Sequence, residues 1–222
     1  PTSPSTHALD IQMILGNLYR QKGQVGRAIN VHQALLQRPD LRPLEQAYVL
    51  LCLGLDFRHA GFVDRAHEAF QEVLRLDGQN RYAFVNLQKL YEDQHQWAEA
   101  ARVREQIAEI DSRQREEDQQ ILGFLRNEMA SVQAASGDVA GAAETFQDVI
   151  NIDSRIAPAY LTLGDVREGQ GNMTAAIEAW EALVQAVPER AYLAFERLER
   201  TYRALGAPRR FVDLCQRLIA RD

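Results

Sequence analysis

Residues 163–180 read LGDVREGQGNMTAAIEAW, and the same order of residue types occurs at 53–70, LGLDFRHAGFVDRAHEAF, and at 15–32, LGNLYRQKGQVGRAINVH. Each stretch opens on Leu-Gly, places a second glycine seven residues later and an alanine five residues after that, and ends on a large ring. Weaker copies follow the same plan. At the position of the first glycine the six copies fall at 16, 54, 88, 130, 164 and 199, which indicates a basic period of 34 residues.

A 34-residue period with these residue types is typical of the tetratricopeptide (TPR) helix-turn-helix repeat. The small residue in the first helix lets the second helix approach closely, and Phe70, Phe146 and Trp180 fill the remaining space. The pattern therefore predicts an all-α fold, a right-handed superhelical solenoid of about six repeats. We expect the repeats near residues 9–42, 47–80, 81–114, 123–156, 157–190 and 192–222.

The spacing between copies predicts where the connections differ. Residues 38–43 contain two prolines and predict a loop, whereas Pro158 suits the first turn of a helix and Pro188 ends one. Polar residues before Gly123 predict that repeat four opens on a helix extended by about two turns. We expect a solvated face there, formed by Arg113, Arg115, Glu116, Glu117 and Asp118. In the degenerate sixth repeat, we expect Phe211 to cover the last groove.

The domain organisation follows from the repeats. We expect residues 1–7 to form a disordered lead-in, with the first helix starting near His7 or Ala8, and residues 8–222 to form a single TPR domain. No capping unit precedes the first repeat, although solenoids normally shield their first apolar face. We infer that the chain is cut from a longer protein.

Composition and motifs exclude several function classes. A net charge of −6 argues against a nucleic-acid surface, and the longest apolar stretch, 47–55, is too short to span a bilayer. Cys52 and Cys215 are far apart and are expected to be buried small hydrophobes. The histidines are dispersed, with His32 at a packing position. We therefore expect no catalytic residues, no metal site and no cofactor, and hence no enzyme.

The first helix of each repeat lines the concave surface of a TPR superhelix, and its positions 2, 5, 9 and 12 point into that groove. The predicted partner-binding residues are Asn17, Arg20, Tyr48, Leu51, Leu55, Arg58, Tyr82, Val85, Lys89, Arg197, Arg200 and Arg203. Among them Tyr48, Leu51, Leu55, Tyr82 and Val85 form an apolar patch suited to a peptide or helix. The alternative is that some of these face the adjacent repeat.

The three C-terminal arginines have two interpretations. Arg197, Arg200 and Arg203 share much of one helix face and could receive an acidic partner segment. Glu196 and Glu199 precede Arg200 and Arg203 by four residues, so pairs within the helix could already occupy them. The sequence does not decide between the two.

The arrangement of strong and weak repeats resembles the lipopolysaccharide assembly protein B family of Gram-negative bacteria. The resemblance covers residues 8–220 and is carried by the segments 15–20, 27–29, 32–33, 61–66 and 87–91, together with Gly23. Members of that family have an N-terminal transmembrane helix, cytoplasmic TPR repeats and a C-terminal rubredoxin-like metal domain. Neither flanking part occurs in these 222 residues.

The resemblance implies an adaptor that helps the membrane protease FtsH control LpxC, the deacetylase that commits material to lipid A. It implies protein partners, with FtsH and LpxC as candidates, and a place at the cytoplasmic face of the inner membrane. Two alternatives stay open: a substrate-recruiting TPR arm of a larger enzyme, and a scaffold that assembles with itself through uncapped ends.

Overall fold

The computed structural model describes residues 4–110 and 115–220. These residues form α-helices and one short 3₁₀ helix, Pro188–Arg190, and no strand occurs among them. The α-helices are α1 (Pro4–Gln21), α2 (Val25–Leu36), α3 (Pro43–His59), α4 (Val63–Leu76), α5 (Arg81–Asp93), α6 (Trp97–Ile110), α7 (Arg115–Ser136), α8 (Val139–Ile152), α9 (Ala157–Gly169), α10 (Met173–Ala186), α11 (Tyr192–Ala204) and α12 (Pro208–Ile219). The all-α prediction is confirmed.

Consecutive helices pair into hairpins, and we call the first helix of each hairpin A and the second B. The contacts divide the chain into two compact units, unit 1 with α1–α6 and unit 2 with α7–α12. The expectation of one domain over residues 8–222 stays a prediction. Helix α1 begins at Pro4, before the expected start near His7 or Ala8.

Prolines lie where the sequence places the helix ends. Pro43 opens α3 after the loop that follows α2, and Pro158 lies in the first turn of α9. Helix α10 ends at Ala186, and Pro188 opens the 3₁₀ helix. These interpretations are confirmed.

Helix α7 is the extended A helix that the sequence predicts, with 22 residues. Its first residues Arg115, Glu116 and Glu117 are exposed as expected, whereas Asp118 is only 4% exposed. The interpretation of Asp118 as solvated is wrong. Asp118 precedes the fully buried Leu125 by seven residues, and because that spacing puts both residues on one helix face, Asp118 is buried with it. Arg113 lies outside the described residues.

Each strong hairpin is held together by a small residue on helix A under a ring on helix B. A Cβ atom added at Gly16 would overlap the imidazole of His32, and one at Gly54 would overlap the ring of Phe70. At Gly164 it would overlap the indole of Trp180. The close approach predicted for these glycines is confirmed, as is the structural role of His32, which is fully buried.

The third hairpin replaces this contact with two polar side chains. Gln88 occupies the glycine position of α5, and Arg104 occupies the ring position of α6. Both are buried, with 6% and 5% of their surface exposed. The Gln88 Nε2 atom donates to Glu92 Oε1 at 2.6 Å.

The turn between the A and B helices needs a left-handed backbone. Gly171 has φ +78°, and the equivalent turn residues Gly23, Gly61, Gly137 and Gly206 also have positive φ. In the third hairpin this position is His95, with φ 57°. A side chain in this region is strained by roughly 1–2 kcal/mol because Cβ approaches the following carbonyl oxygen.

His95→Gly is therefore expected to raise the free energy of unfolding by about 0.5–1 kcal/mol, since relief of strain outweighs the extra backbone entropy of glycine. Urea denaturation followed by circular dichroism measures the change. Gly171→Ala is the opposite control and should lower stability. A fall in stability on His95→Gly would show that its ring contact with Trp97, at 5.4 Å between centroids, outweighs the strain.

Candidate functional site

The A helices of unit 1 lie side by side and are joined by two arginines. Arg20 of α1 donates to Asp56 Oδ1 of α3 at 2.7 Å and to the Cys52 carbonyl at 3.2 Å. Arg58 of α3 donates to Asp93 Oδ2 of α5 at 3.1 Å and reaches Asn86 Oδ1 at 3.4 Å. We call the side of α1, α3 and α5 that carries the exposed residues Tyr48, Tyr82 and Lys89 the A-helix surface of unit 1.

Arg20 and Asn17, both predicted to bind a partner, take part in an internal network. Arg20 Nη2 donates to Asn17 Oδ1 at 2.8 Å, and the Asp56 carboxylate also accepts from His32 Nδ1 of α2 at 2.5 Å. Asp56 and His32 are both fully buried. The guanidinium of Arg20 therefore neutralises a buried carboxylate, a role that the sequence pattern did not predict.

Two tyrosines and a lysine are the predicted residues that face solvent on this surface. Tyr48 is 52% exposed and Tyr82 is 74% exposed, and Lys89 is also exposed. Tyr48 and Tyr82 lie 34 residues apart, so they occupy the same position in successive repeats. Whether they bind a partner stays a prediction. The same position in unit 2 is held by Phe124, 52% exposed, which the predicted site left out.

The aliphatic members of the predicted patch lie in or against the core. Leu51 is only 8% exposed, and Leu55 and Val85 are partly buried against the same apolar cluster. The expectation that Leu51 is available to a partner is wrong because α3 packs against α1, α2, α4 and α5, which leaves little of its circumference free. Tyr48 and Tyr82 are the members of the predicted patch that remain exposed.

The three C-terminal arginines are paired with carboxylates of unit 2. Arg197 binds Asp165 of α9 through Nε at 2.6 Å and Nη2 at 2.8 Å, and this hydrogen bonding raises the pKa of Arg197. Arg203 Nη2 donates to Glu199 at 2.6 Å, which is the intrahelical pair the sequence allowed.

Arg200 differs from the expected intrahelical pairing. Its Nη2 atom binds Glu168 of α9 at 2.6 Å instead of Glu196, four residues before it. Arg197 and Arg200 thus link α11 to α9, and an acidic partner segment that docked on them would have to displace these carboxylates.

Two absences hold for residues 4–110 and 115–220. In this part of the chain, no group of three or more His, Cys, Asp or Glu side chains is placed to hold a metal ion. None of the described helices is both long and apolar enough to cross a membrane.

The two cysteines differ in burial, which corrects the expectation that both are buried. Cys52 is 4% exposed, and burial raises the pKa of its thiol to about 11. Cys215 is half-buried. The thiolate is the reactive form, so at pH 8 only about one Cys52 in a thousand is reactive.

In dilute solution at pH 8 we expect the Cys215 thiol to react readily with 5,5′-dithiobis(2-nitrobenzoic acid) and the Cys52 thiol to react only when the chain unfolds. Cys215→Ser should remove the fast phase and Cys52→Ser the slow one. Equal rates for both thiols in the folded chain would contradict the burial of Cys52.

Comparison with known proteins agrees with the helix hairpins. A model of the tetratricopeptide repeat matches residues 13–47, and a second model of the same repeat matches residues 158–190. A tetratricopeptide repeat protein from Parabacteroides merdae has a similar fold, with a TM-score of 0.51 and 16% identity, covering 96% of this chain and 80% of that one. The chain is thus an all-α TPR solenoid.

The relatives narrow this class further. Over 215 residues the chain is 26% identical to lipopolysaccharide assembly protein B of Escherichia coli (strain K12), covering 96% of this chain and 54% of the relative. The protein of the same name from Haemophilus influenzae is 33% identical over 104 residues, 46% of this chain and 26% of that protein. The chain is a TPR core similar to that of lipopolysaccharide assembly protein B, and it spans about half the length of the Escherichia coli relative.

Proposed function

We propose that this chain is a non-enzymatic adaptor and that the A-helix surface of unit 1 holds a segment of a partner protein. The observation that carries the proposal is the exposure of Tyr48 and Tyr82, 52% and 74%, at the same position of successive repeats. Tyrosine offers a large apolar face with a polar tip and is enriched among residues that dominate binding energy. Arg20 and Arg58 serve the fold, whereas the two tyrosines are the members of the predicted apolar patch that stay exposed.

The partners that we propose are FtsH and LpxC, with the chain working at the cytoplasmic face of the inner membrane. The support is the similarity to lipopolysaccharide assembly protein B along 96% of the chain. Crosslinking and mass spectrometry of the full-length protein in cells tests this role. Recovery of either candidate supports this role, and recovery of neither overturns it.

Tyr82→Ala is expected to weaken capture of the bound partner about tenfold or more, because it removes a large exposed apolar anchor. Affinity for purified LpxC and for the cytoplasmic part of FtsH, measured by biolayer interferometry, gives the change. Tyr192→Ala on α11 is the matched control, since Tyr192 is 65% exposed. Circular dichroism should be unchanged in both variants.

Two results would contradict the proposed surface: unchanged affinity on Tyr82→Ala, or an equal loss on Tyr192→Ala. Leu51→Ala does not test capture because Leu51 is buried. We expect that substitution to lower stability instead.

A further inference from the structure

An open groove of about 580 Å³ lies in unit 1 between the B helices α2 and α4. Its floor is formed by α3, the A helix that packs against both of them. Leu53 and Phe57 of this floor are buried, and Leu50 is half-buried. The three helices are internal to unit 1, with α1 before them and α5 after them. The volume falls in the range of roughly 300–1,000 Å³ found for clefts that bind ligands.

Small residues on the two walls keep the apolar floor within reach of solvent. Ala34 of α2 and Ala69 of α4 both line the groove, and neither side chain extends beyond a methyl group. At one end Arg65 of α4 lies over the ring of Phe57, with its Cζ atom 4.0 Å from the ring centroid. This cation–π contact fixes the guanidinium against the floor.

The α2 wall carries two carboxamides and no charged side chain. Gln33 is half-buried and Gln37 is exposed, and residues 4–110 give neither side chain a hydrogen-bond partner. Four residues apart, the two amides lie on one helix face, about 6 Å from each other along the axis. An extended chain turns its backbone N–H and C=O groups to the same side at every second residue, about 6.6 Å apart. The α2 wall therefore matches the backbone of an extended peptide.

The α4 wall adds negative charge to the groove. Glu68 and Glu72 both line it, and Glu72 already accepts from Arg75 Nε at 2.8 Å. Glu68 is exposed, and no hydrogen bond or ion pair engages it in the described part of unit 1. Arg65, three residues before Glu68, is held over the floor instead. A cation brought by a bound segment therefore finds a counter-ion in Glu68.

We propose that this groove binds an extended segment of a partner protein that has apolar side chains at alternate positions and a lysine or arginine beside them. The apolar side chains lie on α3, because alternate side chains of an extended chain share one face. Gln33 and Gln37 bind the backbone, and Glu68 pairs with the basic side chain. The groove shares no residue with the A-helix surface of unit 1, so it gives the adaptor a second binding site.

Selection from a library of random phage-displayed peptides tests the proposal, with the Tyr82→Ala variant of the whole chain as the target. That variant lacks an anchor of the A-helix surface, so the result is independent of the function proposed above. We expect enrichment of peptides with two apolar residues at alternate positions and a lysine or arginine next to them. Failure to enrich such peptides overturns the proposal.

Ala34→Trp, added to the same target, locates the bound peptide. Ala34 is exposed, so the indole fills the groove without disturbing the core. Fluorescence polarisation of a selected peptide should show affinity weakened about tenfold or more. Ala140→Trp on α8 is the matched control, since Ala140 is also exposed, and should bind like the target. Circular dichroism verifies that both variants are folded. Unchanged affinity on Ala34→Trp overturns the location.

Substitution of Glu68 tests the charge preference without filling the groove. Glu68→Gln should weaken a basic peptide about two- to fivefold, the range of an exposed ion pair. Glu68→Lys should weaken it further, and selection on that variant should enrich peptides with aspartate or glutamate. Glu178→Lys on α10 is the matched control, because Glu178 is exposed, and should bind the basic peptide normally. A basic peptide that binds Glu68→Lys unchanged overturns the proposed pairing.

Discussion

Gly164→Ala is expected to lower the free energy of unfolding by about 2–3 kcal/mol, although alanine is the better helix former. The added methyl group would overlap the indole of Trp180, which is fully buried. The indole cannot move aside easily, since its Nε1 atom donates to the Leu161 carbonyl at 3.2 Å. The contact must therefore be relieved by separating α9 from α10.

Gly169→Ala in the same helix is the matched control. Gly169 is exposed, and a Cβ atom there would meet nothing within 4 Å. Stability should stay the same or rise by about 0.5–1 kcal/mol, the usual gain for alanine over glycine in a helix. Urea denaturation followed by tryptophan fluorescence measures both variants. Similar midpoints for the two would refute close packing at Gly164.

Asp56→Ala is expected to cost about 3–5 kcal/mol, the range found when one member of a buried ion pair is removed. The substitution leaves the Arg20 guanidinium without its carboxylate and His32 without the acceptor for Nδ1. Because these groups join α1, α2 and α3, these three helices should unfold at a lower urea concentration than α4, α5 and α6.

The control for this prediction is Asp165→Ala. Asp165 also pairs with an arginine of another A helix, but its side chain is 41% exposed and that of Arg197 is 33% exposed. Solvent screens such a pair, so the loss should be below about 1 kcal/mol. Hydrogen exchange of the α1 and α3 amides locates the effect. Losses of equal size for the two variants would show that burial of Asp56 adds nothing.

The fold could be predicted because its main contacts repeat in the sequence. A small residue on helix A, a turn glycine and a ring on helix B recur at fixed spacing, and Gly54 with Phe70 shows the contact they make. Helix ends followed from prolines such as Pro43 and Pro158. Each of these features is local to one hairpin, so a single sequence was enough to predict the fold.

The candidate site was harder to predict because its residues interact between hairpins. Arg20 pairs with Asp56, which lies 36 residues later in the chain. Arg197 and Arg200 each pair with an acidic residue that lies 32 residues earlier. Opposite charges about one repeat apart are the sequence signal that would have revealed these pairs. The position of Leu51 within its helix suggested that its side chain is exposed. That periodicity carries no information on how many other helices pack around α3, and these bury Leu51.

The polar residues Gln88 and Arg104 of the third hairpin bear on mispairing of helices during synthesis and refolding. In the second and fifth hairpins a glycine meets a ring, so an A helix of one could accept the B helix of the other. Gln88 and Arg104 exclude the third hairpin from such an exchange, because α5 with a wrong partner would press an amide against an aromatic ring, and α6 with a wrong partner would place a guanidinium beside a small residue. Misassembly of similar units is a characteristic failure of repeat proteins, and a hairpin whose central residues differ from those of the others is less open to it.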